Sequence, residues 1–222
     1  MSTEPSETRY FPFRLTLQSP LLATGPAGDP NSATTLPYIP GALIRGAVAG
    51  GLGSPTGDTA QLSVFRDLIF EGSIRYLNAY PIAANRRALP APVSLRGEKG
   101  GDITNAHKHF DLLAYHGHPP ADHELDDGTW PQASLGGSPA FLVAEGTSRY
   151  QVNPDVSGRI HQQRDRAAGR AWSESNDVAH GTVYTYEALD AGQTFGGMVV
   201  VEGAPTEIER RIAAVKQALG PS

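Results

Sequence analysis

Glycine and proline interrupt this chain so often that they set the first limit on its fold. There are 25 glycines and 18 prolines among 222 residues, about a fifth of the chain against a usual ~12%. Long helices and broad uninterrupted sheets cannot be threaded through such punctuation, yet the share stays below the ~25–30% that marks low-complexity sequence. A turn-rich globular protein follows. At roughly 100–200 residues per domain the length fits one domain with room for an insertion. A chain of this size buries enough surface to need no covalent staple. Cysteine is absent, which removes disulfides, thiolate zinc sites, iron–sulfur clusters and cysteine nucleophiles together. With a net charge of −5 there is no molecule-wide basic field, so any site for a polyanion has to be a local patch. The start is acidic, and no apolar run approaches the ~18–20 residues of a membrane span; a cytoplasmic protein without membrane contact is expected.

Regular structure is legible at both ends. Residues 1–9 are expected to be disordered, and from Tyr10 to Gln18 the residues Phe11, Phe13, Leu15 and Leu17 alternate with polar neighbours, the pattern of a half-buried strand. Pro12 marks its start or an edge position. Ser19 to Pro37 is a long loop, followed by a helix from Pro40 or Gly41 that offers Leu43, Ala47 and Leu52, and a second short helix from about Thr59 that places Leu62, Phe65 and Ile69 together. Gly46, Gly50 and Gly51 would each weaken the first of these helices, which points to close approach by another backbone. Ser73 to Ala79 reads as a strand. Periodicity then disappears from about 80 to 180, which reads as one insertion with a small hairpin near Ala140 to Val143. Gly181 to Leu189 and Thr194 to Glu202 read as a hairpin around Asp190-Ala191-Gly192. The last helix has Thr206 as cap, Glu209 completing a capping box, and Ile208, Ile212, Val215 and Leu219 on one face before Gly220-Pro221. The whole, residues 10–222, reads as one α+β domain.

Four groups of residues could carry chemistry. Gly41, Arg45 and Gly46 sit where a loop enters a helix, and free N–H groups, a glycine and an arginine one turn in would hold a phosphate; an ordinary capped core helix gives the same text. Arg159, Arg164, Arg166 and Arg170, with His161 and Gln163 between them, supply guanidinium forks and polar donors suited to an RNA backbone and its 2′-hydroxyls; a solvated arginine-rich loop is the plainer alternative. Asp29, in Gly28-Asp29-Pro30, could orient a 2′-hydroxyl or help hold Mg²⁺, or simply form an Asx turn. His107, His109, His116, His118 and His123, with Asp111, Asp122 and Glu124, lack any fixed metal spacing and read as surface histidines, so neither a resident metal nor a cofactor is expected.

The run Pro40-Gly41-Ala42-Leu43-Ile44-Arg45-Gly46 resembles the proline-glycine-small-hydrophobic-basic-glycine signature of the CRISPR-associated RAMP superfamily. The later Glu187-Ala188-Leu189, Gly192 and Phe195 are similar to its E-x-h-x-x-G-x-x-F strand pair, and the wording is nearest the type III-D branch. The resemblance implies a ferredoxin-like (RRM-like) fold with a large insertion. It implies a subunit that binds guide RNA within a type III effector complex in antiviral defence, with target RNA and other effector subunits as partners. It also implies the family's cleaving aspartate at Asp29, so an endoribonuclease is the alternative: Asp29 would cut target RNA, or a histidine, His161 first, would process precursor RNA. A scaffold making only protein contacts is a third reading. The superfamily's glycine-rich loop and last strand would follow Leu219 and are expected to be missing here, either because the sequence is a fragment or because another polypeptide supplies the strand, leaving an exposed sheet edge.

Overall fold

A computed structural model of the protein describes residues 5–25, 32–55, 58–97, 109–111, 113–114, 133–134, 141–145, 148–162 and 183–220. It divides into two compact units, one made of Met1–Ala79 with Asp155–Ser222 and the other of Tyr80–Pro154. The first contains β1 (Glu7–Thr16), β2 (Ser32–Ala33), α1 (Gly41–Leu52), α2 (Thr59–Ile69) and β3 (Ile74–Tyr76). The second contains β4 (Tyr80–Ala83), β5 (Arg86–Arg87), β6 (Leu89–Pro90), β7 (Leu95–Gly97), β8 (His109–Asp111), β9 (Ala133–Ser134), β10 (Phe141–Glu145) and β11 (Ser148–Val152). The chain then returns to the first unit with β12 (Val156–Gln162), β13 (Val183–Leu189), β14 (Thr194–Gly203) and α3 (Pro205–Leu219).

In the first unit β14 is the central strand of an antiparallel sheet. It pairs along β1 from Glu7↔Gly203 to Thr16↔Thr194, and on its other side meets β3 at Val199↔Tyr76 and Val201↔Ile74. Glu7 to Arg9, expected in the disordered start, belong to β1. The alternation in β1 lays Phe11 and Phe13 against a core of Val48 from α1, Leu68 from α2, Ile74, Val199 and Val201 from the sheet, and Ile208, Ile212 and Val215 from α3. Phe13 lies opposite Gly197, where a Cβ would run into its ring; the missing side chain on β14 is the space the aromatic fills. The three helices therefore cover one sheet face, in the α+β arrangement expected from the sequence.

The helix starts depart from expectation in one place. Asp58 caps α2 by accepting the Ala60 N–H at 2.8 Å, as its side-chain chemistry favours. But α3 begins at Pro205, one residue before the expected cap, because proline is pre-set for the first helical turn. Glu207, not Glu209, reaches back to the Ala204 N–H at 3.4 Å; Ala204 has no side-chain acceptor to return the bond. α2 and α3 are joined by Asp67 and Arg211, each 9% exposed at the side chain. Arg211 donates through Nε and Nη2 to Asp67 Oδ1 at 3.0 and 2.8 Å, and through Nη1 to the Glu202 carbonyl at 2.6 Å.

β13 and β14 do not form the expected hairpin. β13 pairs antiparallel with β12 and parallel with β2, in a second sheet. The turn between β13 and β14 is a corner at which the chain changes sheets. Gly192 turns it at φ 87°, and the Gln193 side chain pins it by accepting the Asp155 N–H at 2.7 Å and donating to the Asp155 and Asp190 carbonyls at 2.8 and 3.0 Å. Leu189 and Phe195, on either side of the corner, are fully buried with Ile39, Ile44 and Ala79. A two-strand hairpin would have left one of them outside.

The second unit lies wholly in the segment where periodicity is lost, yet it is built of short strands. β4 and β5 are joined by Ala84 and Asn85, both at positive φ, 46° and 62°, the geometry of a tight hairpin turn. The hairpin expected near Ala140 appears as β10 and β11, paired from Phe141↔Val152 to Glu145↔Ser148. Phe141 and Val143 are buried, and Phe141 meets the Tyr80 ring at 5.5 Å.

Candidate nucleic-acid interface

The loop-to-helix junction at α1 is well ordered by its own chain. The Gly41 N–H donates to Asn78 Oδ1 at 2.9 Å, and the Leu43 and Ile44 N–H groups donate to the Pro40 carbonyl at 2.9 and 3.4 Å. These donors are therefore satisfied internally, and the picture of a row of free N–H groups waiting for a phosphate does not hold. The glycine has a local reason too: a Cβ on Gly41 would collide with the Tyr76 carbonyl, so the close approach it permits is that of β3. Of the glycines expected to admit another backbone, Gly51 does so, against Ala218 of α3, whereas Gly46 and Gly50 face open space.

Arg45 and Gly46 are exposed on the outer face of α1. Arg45 has no carboxylate partner among the described residues. Its charge is felt by Tyr76, whose phenol is pushed up to about 12 by burial while Arg45 pulls the other way. The Tyr76 hydroxyl donates to the Leu68 carbonyl at 3.3 Å, so this ring is a structural neighbour of the arginine rather than a titrating group. What α1 offers a ligand is one guanidinium beside a stretch of helix without side-chain bulk.

The stronger grouping lies on β12 and β13. Register sets Arg159 opposite Tyr186 and His161 two residues along β12, and period-two alternation puts all three on one face of the ribbon. The His161 and Tyr186 rings meet at 5.4 Å with a 48° tilt. Arg159 and His161 are exposed, Tyr186 is 37% exposed, and Ile160 on the reverse face is 76% exposed. A guanidinium fork, an imidazole and the face of a phenol ring on one accessible strand pair can bind a phosphate and stack a base at the same time, which is the chemistry single-stranded RNA asks for. Tyr186 was legible in the sequence only as a strand residue. Its place beside Arg159 and His161 comes from the register to β12, which no local pattern encodes.

Asp29, Gln163, Arg164, Arg166 and Arg170 lie outside the described residues, as do His107, His116, His118 and His123. Among the described residues no group of three or more His, Asp or Glu could hold a metal ion, and no helix is long and apolar enough to cross a membrane.

No protein-family model and no curated protein sequence matches the chain. Among solved structures, a chain of the assembly described as the cryo-EM structure of the Type III-B Cmr-beta bound to cognate target RNA and AMPPnP aligns with it at TM-score 0.41 and 13% identity. The alignment covers 90% of this chain and 56% of that one, so this chain spans little more than half the length of that neighbour.

Proposed function

We propose that this protein is an RNA-binding subunit of a type III CRISPR effector complex. It would hold guide RNA by its backbone in the cytoplasm alongside other effector subunits and leave the reading of target RNA to base pairing. The observation that carries the reading is the Arg159–His161–Tyr186 face of the β12–β13 ribbon. The motif resemblance agrees with it at two points. Arg45 of the signature is exposed and without a carboxylate partner among the described residues, and the antiparallel order β1–β14–β3 with helices on one face fits a ferredoxin-like arrangement. The basic run continues from Arg159 through Arg164, Arg166 and Arg170, so the ribbon leads directly into further cations.

Fluorescence anisotropy with a labelled single-stranded RNA tests this. Arg159→Gln should weaken binding for every sequence tried and flatten the salt dependence by about one phosphate contact or less. Tyr186→Ala should weaken it by about 1–3 kcal/mol, the worth of a stacked base, with the salt slope unchanged. Affinity unaltered in the double variant would remove this site.

A further inference from the structure

The second unit, Tyr80–Pro154, has a cavity of its own, about 650 Å³ in volume, a size that suits a small organic molecule. The tight turn at Ala84 and Asn85 delivers Arg86 and Arg87 into its wall. Arg86 is steered by one hydrogen bond, from Nη1 to the Ala144 carbonyl of β10 at 3.2 Å. Its other side-chain N–H groups have no partner among the described residues, and neither has any part of the half-buried Arg87 guanidinium. A cation drawn partly out of water is normally paired. Here two neighbouring arginines line one cavity, and neither is joined to a carboxylate among the described residues. The rest of the wall is largely apolar. Leu95 and Val143 are buried behind it, while Leu89 and Pro90 are exposed at its mouth. Asp111 of β8 also lines it, with Oδ1 accepting the Leu113 N–H at 3.0 Å.

These surfaces ask three things of a ligand. Two guanidinium forks match the three oxygens and roughly −1.5 to −2 charge of a phosphate monoester better than the single charge of a carboxylate. The apolar wall takes a flat, weakly hydrated body, and a carboxylate, which only accepts, takes hydroxyl or ring N–H donors. A nucleoside monophosphate brings all three, whereas a fatty acid lacks the donors. We infer that this cavity is a binding site for a nucleoside monophosphate, with the phosphate on Arg86 and Arg87 and the base along the apolar wall. The inference is independent of the proposed RNA binding, since it uses neither Arg45 nor the ribbon.

Isothermal titration calorimetry of the full chain with AMP, GMP, CMP and UMP tests it. Saturable binding of at least one of the four is expected, weakened about tenfold or more by Arg87→Gln and by Leu89→Glu, which sets a like charge at the mouth. Arg66→Gln, exposed on α2 in the first unit, should leave it unchanged. Because the Arg87 guanidinium has no partner among the described residues, Arg87→Gln should leave the melting temperature without ligand unchanged or higher. A marked fall would make Arg87 a structural residue and overturn the inference. So would the absence of saturable binding by any of the four, or binding of inorganic phosphate or of the unphosphorylated nucleoside as tight as that of the nucleotide. Tighter binding of decanoate also overturns it, by making the site one for acyl anions. A 5′-phosphorylated RNA trinucleotide that binds about tenfold more tightly than the mononucleotide does so too, by making the occupant an RNA end.

Discussion

Asp67 and Arg211 show how much one pair of residues carries. Nε and Nη2 of the guanidinium donate to the carboxylate, Nε to both of its oxygens, and Nη1 donates to the Glu202 backbone. The Asp67 contact also holds the Arg211 pKa above its ordinary value, against desolvation. A third residue, Arg210, reaches the same carboxylate at 2.9 Å from a side chain 58% exposed; being solvated, it adds little. Removing one partner of a buried pair leaves the other charge uncompensated, which costs about 3–5 kcal/mol. Asp67→Ala should therefore lower the unfolding free energy measured by denaturant titration by that much, and Asp67→Ala with Arg211→Met should recover most of the loss. A loss below about 1 kcal/mol in the single variant would show that the pair behaves as a surface ion pair. Nothing local in the sequence announces this contact, because its members are separated by 144 residues.

α3 and β1 were the most legible elements because each carries a single unbroken period, whereas α2 keeps Phe65 and Ile69 half-buried but leaves Leu62 45% exposed and buries Leu68 instead. Ile208, Ile212 and Val215 fall into the core where helical spacing puts them, while α1 buries Ile44 and Val48 and leaves Leu43 41% exposed. The β13–β14 corner was illegible for the opposite reason: Asp190-Ala191-Gly192 turns a chain equally well into a hairpin or onto another sheet, and the choice is made by Gln193 and by the buried pair Leu189 and Phe195. α1 separates two roles that its glycines share in the sequence. Gly41→Ala should destabilise the protein by about 1–3 kcal/mol, the usual cost of overpacking, because the Cβ meets the backbone of β3. Gly46→Ala meets nothing and should raise stability by up to ~1 kcal/mol through helix propensity. If Gly46 also admits an RNA backbone, the same substitution weakens RNA binding while raising the melting temperature, a split that a purely structural glycine cannot produce.

For the molecule as a whole, the proposed RNA contacts come from parts far apart in sequence. Arg45 comes from the first helix, Arg159 and His161 from a strand that follows the second unit, and Tyr186 from the strand paired to it. The second unit, Tyr80–Pro154, separates α1 from the ribbon in sequence, and the basic run could be read from the sequence while the tyrosine opposite it could not. The net charge of −5 gives no general attraction for polyanions, and any RNA retained through purification must therefore be held by a local site. The most direct test is to purify the full chain from cells that also express type III CRISPR guide RNAs, extract bound nucleic acid and size it. The account predicts a short RNA of discrete length, sensitive to ribonuclease and lost from the Arg159→Gln, Tyr186→Ala protein; a nucleic-acid-free preparation, or a heterogeneous smear that persists in that variant, would contradict it.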